Sequence, residues 1–441
     1  MSKLHDLIKT MCPHGVEFVK LNTLGAFENI GVDKKTVPGE PLVRLLNYVD
    51  VYKNKYINKN IPQMTVSSPQ KKLDSCSIKQ WDIFVTPTSE TRDDIGHSAV
   101  AIEDIDGAVY SYHIMRFRLN NPNRVTACFI NYLFESQEVQ KQIFKFASGQ
   151  TRFGLSKYKF GDIVIPFPPI EVQEEIVKIL DRFADYAAEL QAELQARKEQ
   201  YEYYRNLLLT FNPSACGCGT DGEQEIKVTT WGGHSYEIAW KTMGEIGKFF
   251  GGLTGKSKSD FTNGNARFIS YMNVYTNIAL NQHLEEFVYI GKDEKQNTLE
   301  YGDAIFTGSS ETPDECGMSS VVTTVPSEPL YLNSFCFGYR LENKSLFVPD
   351  FLKHLLRSKS VRSQIAKTAN GVTRFNVSKA LFAKIVLPIP PYELQMKIAS
   401  ILDRFETLVN DLTQGLPAEI AAVKEQYEYY RNKLLTFKKA S

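Results

Sequence analysis

Lys198-Glu-Gln-Tyr-Glu-Tyr-Tyr-Arg205 recurs, unchanged, from Lys424 to Arg431. An octamer carrying three tyrosines does not repeat by chance in 441 residues, so a longer period is implied. Ile179-Leu-Asp-Arg-Phe183 returns as Ile401-Leu-Asp-Arg-Phe405, 401 − 179 = 222 positions later. Gly149-Gln-Thr-Arg-Phe153 returns as Gly371-Val-Thr-Arg-Phe375, and Ile165-Pro-Phe-Pro-Pro169 as Leu387-Pro-Ile-Pro-Pro391, at the same offset. Fainter echoes lie upstream: Ser89-Glu90-Thr91 against Ser310-Glu311-Thr312, and Val51-Tyr52 against Val274-Tyr275. A period this long describes a duplicated domain pair rather than a solenoid.

Each copy closes on a proline pair, where a strand must stop and a helix can start. After Pro168-Pro169 the apolar positions run Ile176, Leu180, Phe183, Ala187, Leu190, Leu194, Tyr201, Tyr204, Leu208, Phe211. Steps of four and three, broken only at Arg197, make a heptad seam. About 40 helical residues give a rod about 60 Å long. After Pro390-Pro391 the second seam runs Ile398, Ile401, Phe405, Leu408, Leu412, Leu416, Ile420, Val423, Tyr427, Tyr430, Leu434, Phe437. The octamers are 424 − 198 = 226 apart, so four residues are inserted here. A four-residue insertion predicts a stutter in a continuous helix, with Gly415 and Pro417 marking a kink. Tandem copies on a short linker favour antiparallel mating of the two seams.

The expected architecture is α+β: two similar mixed α/β domains separated by two long antiparallel coiled-coil helices, with a pseudo-twofold internal repeat. Residues 1–165 form the first domain, 166–211 the central spacer helix, 212–387 the second domain and 388–441 the C-terminal spacer helix. Strands are predicted at Val43–Leu46, Ile83–Thr86, Ala99–Ile102 and Tyr110–Phe117, and helical spacing covers Phe129–Phe146 and Phe351–Ile365. A Gly-rich linker, Asn212 to Gly222, joins the copies.

Composition narrows the function. With 43% hydrophobic residues the chain fills real cores, and zero formal net charge excludes capture of nucleic acid by the whole surface. Residues 1–165 are mildly basic, 21 Lys and Arg against 17 Asp and Glu. Seven scattered cysteines, with Cys216-Gly-Cys218 the only close pair, read as free thiols. No run of 18 apolar residues occurs, so a cytoplasmic location without membrane contact is expected. Gly255-Lys256-Ser257 imitates the end of a phosphate loop, but Phe250 stands where glycine is required. The seven histidines have no metal or triad spacing, and no nucleotide fingerprint or amino-methyltransferase motif is present. No catalytic constellation and no metal site emerge.

Two unlike heads held apart by a rod, without chemistry of their own, make a measuring device. The chain resembles the DNA specificity subunits of type I restriction–modification enzymes over essentially its whole length. The resemblance rests on Gly-x-Thr-Arg-Phe before Ile-Pro-x-Pro-Pro, on Ile-Leu-Asp-Arg-Phe, on Gly415-Leu416-Pro417-Ala418-Glu419-Ile420 and on Gln-Tyr-Glu-Tyr-Tyr-Arg. The first helix departs from the family by lacking the Gly-Leu-Pro-Ala-Glu-Ile segment. Membership would imply two target-recognition domains, each reading one half of a split double-stranded DNA target, with spacer helices setting the gap. It would also imply two modification (methyltransferase) subunits that bring S-adenosylmethionine, and restriction/translocase subunits that use ATP and Mg. The chain itself would carry no cofactor. A protein-binding scaffold and a methyltransferase with an unfamiliar site are the alternatives.

Candidate contacts follow. Arg152 and Arg374 occupy equivalent places, so their role is sequence-independent: phosphate contact, or a salt bridge closing domain against helix. Base readout must come from positions that differ between copies. Lys34, Lys35, Lys53, Asn54 and Arg92 are candidates in the first domain, and Lys256, Lys258, Arg267 and Asn277 in the second. Tyr201, Tyr203, Tyr204, Tyr427, Tyr429 and Tyr430 carry more aromatic surface than a seam uses and are candidates for partner binding. If Thr413–Leu416 are helical they add about 6 Å, nearly two base pairs.

Overall fold

The computed structural model describes residues 2–211, 227–231, 233–283, 285–411 and 415–440; the whole linker, with Cys216 and Cys218, and Leu412 to Gln414 lie outside them. The chain forms two compact units, Met1–Gln191 with Glu419–Ser441, and Ala192–Ala418. Each unit therefore unites one globular part with the start of one long helix and the end of the other. The boundaries expected from sequence, at 165, 211 and 387, followed sequence order; packing groups the residues differently. Leu434 and Leu435, near the end of the chain, join the core of the first globular part with Ile165, Val172, Ile176 and Leu180.

The duplication persists in the sheets. In the first unit Gly25–Glu28, Met115–Leu119, Ile83–Val85 and Ser98–Ala101 lie side by side, with Tyr56–Ile57 added at one edge. In the second, Gly247–Gly251, Cys336–Leu341, Ala304–Thr307 and Ser319–Val321 repeat that order. Phe117 stands opposite Phe27 and Ile83, and Tyr339 opposite Phe249 and Ala304, in matching register. Most β-branched and aromatic side chains on these strands are buried, with Tyr56, Phe249 and Phe250 half-buried, which is why short runs suffice as strands. A parallel pair, Leu42–Leu46 with Ile105–Tyr110, recurs as Ala266–Ile269 with Leu330–Leu332.

Tyr110–Phe117, expected as one strand, is two strands joined by a tight turn: Ile105–Tyr110 and Met115–Leu119, with Ile114 N–H donating to the Ser111 carbonyl. The predicted helical stretches also divide, at serines. Ala127–Phe134 is followed by Gln137–Phe146, capped by the Ser136 hydroxyl, and Pro349–Leu356 by Lys359–Ala366, capped by Ser358. A serine that accepts an N–H at a helix start competes with helix continuation, and it wins here.

The central helix is continuous from Ile170 to Leu208, 39 residues. Gln173, fully buried, fixes its start. Its amide donates to the carbonyls of Pro168 and Arg124 and accepts from the Thr126 N–H. Gln395 repeats this with Pro390, Leu346 and Val348.

The second rod is not continuous. Tyr392–Asn410 ends at Asp411 in extended conformation, and Leu416–Leu434 begins afresh. Gly415 is required at the break, because a Cβ there would lie 2.5 Å from the Thr407 carbonyl oxygen. Pro417 then fits the first turn of the new helix. A stutter in one helix, with about 6 Å of added rise, is thus overturned: Asp411 and Gly415 are not helical. Leu408, an expected seam residue, is exposed, and Val409 is buried in its place.

Within each unit a stretch of one helix meets a stretch of the other. Phe183 stacks on Tyr430 and the Tyr186 hydroxyl reaches Glu419 in the first unit; Tyr204 stacks on Phe405 in the second. In the first unit the partner number falls as the residue number rises, so the two strands of this seam are antiparallel.

Candidate nucleic-acid interface

Three sequence echoes outside the rods converge on one place in each unit. Ser148–Gly149 pairs with Phe153–Gly154, and that strand pairs with Thr88–Ser89. Ala369–Asn370, Phe375–Val377 and Ser309–Ser310 form the same three strands in the second unit. Each hairpin turns through Gly-x-Thr-Arg. Gly149 has φ 146° and Gly371 φ 147°, and a Cβ at either would sit 2.0 Å from the carbonyl oxygen of Arg152 or Arg374. Only glycine closes this turn, and the turn fixes where the arginine emerges.

Both arginines are exposed. Arg152 donates to the Thr88 hydroxyl at 3.2 Å; Arg374 donates to the Ser309 hydroxyl at 3.2 and 3.1 Å. Neither forms a salt bridge among the described residues, so the domain-to-helix ion pair considered above is not present. A neutral hydroxyl orients the guanidinium without neutralising it, leaving donors and charge outward.

Beneath the hairpin sits a six-residue helix, Tyr48–Lys53 or Tyr271–Thr276. Tyr48 donates to the Thr88 carbonyl and Tyr271 to that of Ser309. Tyr48 stacks on Tyr52, and Tyr271 on Tyr275. Tyr52 and Ser89 hold Asp94, as Tyr275 and Ser310 hold Glu315. The Ser-Glu-Thr and Val-Tyr echoes are therefore the buttress of the arginine hairpin. Burial opposes ionisation of Asp94, but Ser89, His97 and Tyr52 outweigh it and hold its carboxyl below the usual range.

The other candidates divide. Lys34 and Lys53 are exposed, and neither side chain is in an ion pair among the described residues; Lys35 pairs with Asp33 at 3.2 Å. Lys34 and Arg152 both lie near His113. Burial first, then these two cations, pushes its imidazole below the ordinary histidine value. Arg92 faces the rings of Phe144 and Phe153 at 5.7 and 5.3 Å. Lys258 is exposed without an ion pair among the described residues, while Arg267 pairs with Glu328 at 2.8 Å.

Lys256 is not available to a ligand. Its side chain is 8% exposed, and its ammonium is held by Glu294 at 2.5 Å and the Tyr289 carbonyl at 2.6 Å. Asn54 and Asn277 are equivalent helix-end residues whose amides donate back, to the Asp50 carbonyl and the Asn273 side chain. They do the same structural task in both copies, so they do not meet the requirement that base readers differ between copies.

The repeated tyrosines split in the same way. Tyr201 is buried, bonded to His354 Nδ1 at 3.0 Å, and pushed up to about 12 by burial and then Glu406. Tyr427 donates to Glu135, and Tyr204 and Tyr430 are in the stacks described above. Tyr203 and Tyr429, at 63% and 58% exposed, alone keep an open face. The aspartates of the two Leu-Asp-Arg-Phe repeats are anchors: Asp181 accepts from Tyr56 and Tyr132, and Asp403 from His354 Nε2. His354, Asp403 and Glu406 have metal-ligand spacing, but Lys353 Nζ already lies 2.9 Å from Asp403 and 3.1 Å from Glu406 and fills the cation position.

A duplicated, exposed arginine on a neutral hydroxyl leaves one cationic group open at the same place in each unit. Similarity to known proteins defines the class. The type I restriction modification DNA specificity domain matches residues 13–199 and again 237–422. The chain belongs to that family and is a sequence-specific DNA recognition subunit. It is 32% identical to the type I restriction enzyme EcoR124I/EcoR124II specificity subunit of Escherichia coli, over 67% of this chain and 68% of that one. It is 30% identical to the putative specificity subunit S.HindORF215P of Haemophilus influenzae, over 66% and 68%. A solved structure reported for complex assembly and conformational transition of the type I R-M system shares the fold. The TM-score is 0.59 at 15% identity, over 96% of this chain and 97% of that one. No described helix is long and apolar enough to cross a membrane.

Proposed function

We propose that this chain is the non-catalytic reading subunit of a cytoplasmic type I restriction–modification complex, with each unit taking one half of an asymmetric, bipartite duplex target. The single observation that carries the reading is the Gly-x-Thr-Arg-Phe hairpin, built twice on the same buttress with its arginine presented outward. Identical residues cannot discriminate unlike half-sites, so Arg152 and Arg374 grip phosphate, and discrimination falls to residues around them that differ. Two modification subunits supply S-adenosylmethionine chemistry, and the restriction/translocase subunits supply ATP- and Mg-dependent chemistry. Tyr203 and Tyr429, exposed at equivalent places on the helices, suit one repeated partner surface.

The test is duplex binding by the chain assembled with its modification subunits, across a salt series. Arg152→Ala and Arg374→Ala should each weaken binding to every duplex and lower the salt slope by about one. The bases preferred should stay the same. An unchanged slope would overturn the phosphate assignment.

A further inference from the structure

Beside each arginine hairpin lies a tight turn, which in the first unit is the one dividing the strand expected at Tyr110–Phe117. In the first unit it is Ser111-Tyr112-His113-Ile114; in the second, Asn333-Ser334-Phe335-Cys336. The backbones match. Ser111 N–H donates to the Leu46 carbonyl, and Asn333 N–H to that of Ile269. Ile114 N–H closes on Ser111, and Cys336 N–H on Asn333. The side chain of the first residue accepts from the third: Ser111 from the His113 N–H at 3.3 Å, Asn333 from the Phe335 N–H at 2.8 Å.

A glycine presses each turn from below. A Cβ on Gly31 would lie 2.3 Å from Ser111 C, and one on Gly252 2.1 Å from Asn333 O. Both turns are pedestals with no slack, tied to the sheet and backed by a close backbone approach.

Each pedestal adjoins the repeated arginine. In the first unit Leu46, which accepts from Ser111, leads into the helix Tyr48–Lys53, and Tyr48 donates to the carbonyl of Thr88, whose hydroxyl orients Arg152. Phe335 accepts through its carbonyl from the Gly308 N–H at 2.8 Å, and Gly308 precedes the Ser309 whose hydroxyl orients Arg374.

What differs between the pedestals is the middle pair, in which Tyr112, Ser334 and Phe335 are exposed and His113 is half-buried. The first carries Tyr112 and His113, rings 4.0 Å apart, with Tyr112 46% exposed. The second carries Ser334 and Phe335, with Phe335 60% exposed. Same backbone, same neighbouring phosphate grip and unlike side chains are what two readers of unlike half-sites require. An exposed phenylalanine on a fixed turn has no role in the core.

We infer that the Ser111–Ile114 and Asn333–Cys336 turns present the base-reading side chains of the two half-sites, His113 with Tyr112 in one and Phe335 in the other. This rests on the DNA-reading role and phosphate grip proposed above. His113 offers a ring N–H or a lone pair to a hydrogen-bonding base edge, such as purine N7. Phe335 offers only apolar contact, which suits the thymine methyl group.

The experiment selects duplexes from a pool randomised in both half-sites, using the full chain assembled with its modification subunits. His113→Phe should alter the preferred bases in one half-site and leave the other unchanged. Phe335→Ser should relax preference in the opposite half-site only, lowering discrimination roughly tenfold to a hundredfold at the contacted position. His113→Gln, which keeps hydrogen bonding and removes the ring, should change the same position as His113→Phe.

If none of the three variants changes either half-site, or if each weakens all duplexes equally, the inference is overturned. Arg152→Ala, run alongside, separates the two assignments. A lost salt-slope increment with unchanged preferences for the His113 variants sinks the readers and keeps the phosphate grip. An unchanged slope with altered preferences for those variants does the reverse.

Discussion

Replacing Asp181 by alanine tests how the first globular part is held to its helix. One carboxylate oxygen accepts from two phenols, Tyr56 at 2.5 Å and Tyr132 at 2.6 Å. Tyr132 is fully buried and Tyr56 half-buried. Burial, and then the bond to Asp181, raises both phenol pKa values, so both are donors at any ordinary pH. Without Asp181 two donors lose their acceptor. An orphaned buried donor costs about 1–3 kcal/mol, and water can partly rescue the half-buried one, so the loss is about 2–4 kcal/mol. At tenfold per roughly 1.4 kcal/mol this is roughly a 30- to 1,000-fold drop in hydrogen-exchange protection of the Ala127–Phe134 amides. The helix Pro349–Leu356 in the second unit is the internal reference. Adding Tyr56→Phe and Tyr132→Phe to Asp181→Ala removes the stranded hydroxyls with little change of shape, so most of the protection should return. A triple variant exchanging as fast as the single one, or a single variant like the parent, would refute the reasoning.

Gly149→Ala adds a Cβ 2.0 Å from the Arg152 carbonyl oxygen at φ 146°, so it should weaken duplex binding as much as Arg152→Ala while removing no charge; binding at fixed salt is the check. Lys353→Ala strips the cation from the half-buried carboxylates of Asp403 and Glu406 and should destabilise the second unit by about 1–3 kcal/mol in urea unfolding. Glu294 is pulled down to about 2 by hydrogen bonds from Lys256, Gln296 and the Gly291 N–H. Its ordinary value is 4.5, so the stability it contributes is fully present above that pH and is lost as pH falls towards 2. Carboxyl NMR should show this titration moving up towards 4.5 in Lys256→Met.

Much of the molecule was legible in the sequence because its codes are local. The octamer and the 222-residue offset disclose the duplication, and the steps of three and four disclose the helices. Each is a property of neighbouring residues. Gly-x-Thr-Arg-Phe was visible too, since a glycine-led turn is a short-range signal. Gly415 and Pro417 mark an interruption in the sequence itself, but not its degree. A kinked helix and two helices share the same markers, and only the approach of Thr407 to position 415 decides between them. Gln173 and Gln395 were missed, though their 222-residue spacing marks them as a pair with a common task.

Tertiary structure decided what pairing across the chain decides. Ser309 meets Arg374 across 65 positions, and Lys256 meets Glu294 across 38. Composition could not show that the first contact leaves an arginine outward while the second buries a lysine. Nor could it show that Val-Tyr, Ser-Glu-Thr and Gly-x-Thr-Arg-Phe are one assembly, or that the stretch read as a strand holds a turn beside it. Periodicity and caps fix elements because their energies act within a few residues. Which side chain remains free for a ligand depends on desolvation and on partners brought from far along the chain, and those exist only once the sheets have formed.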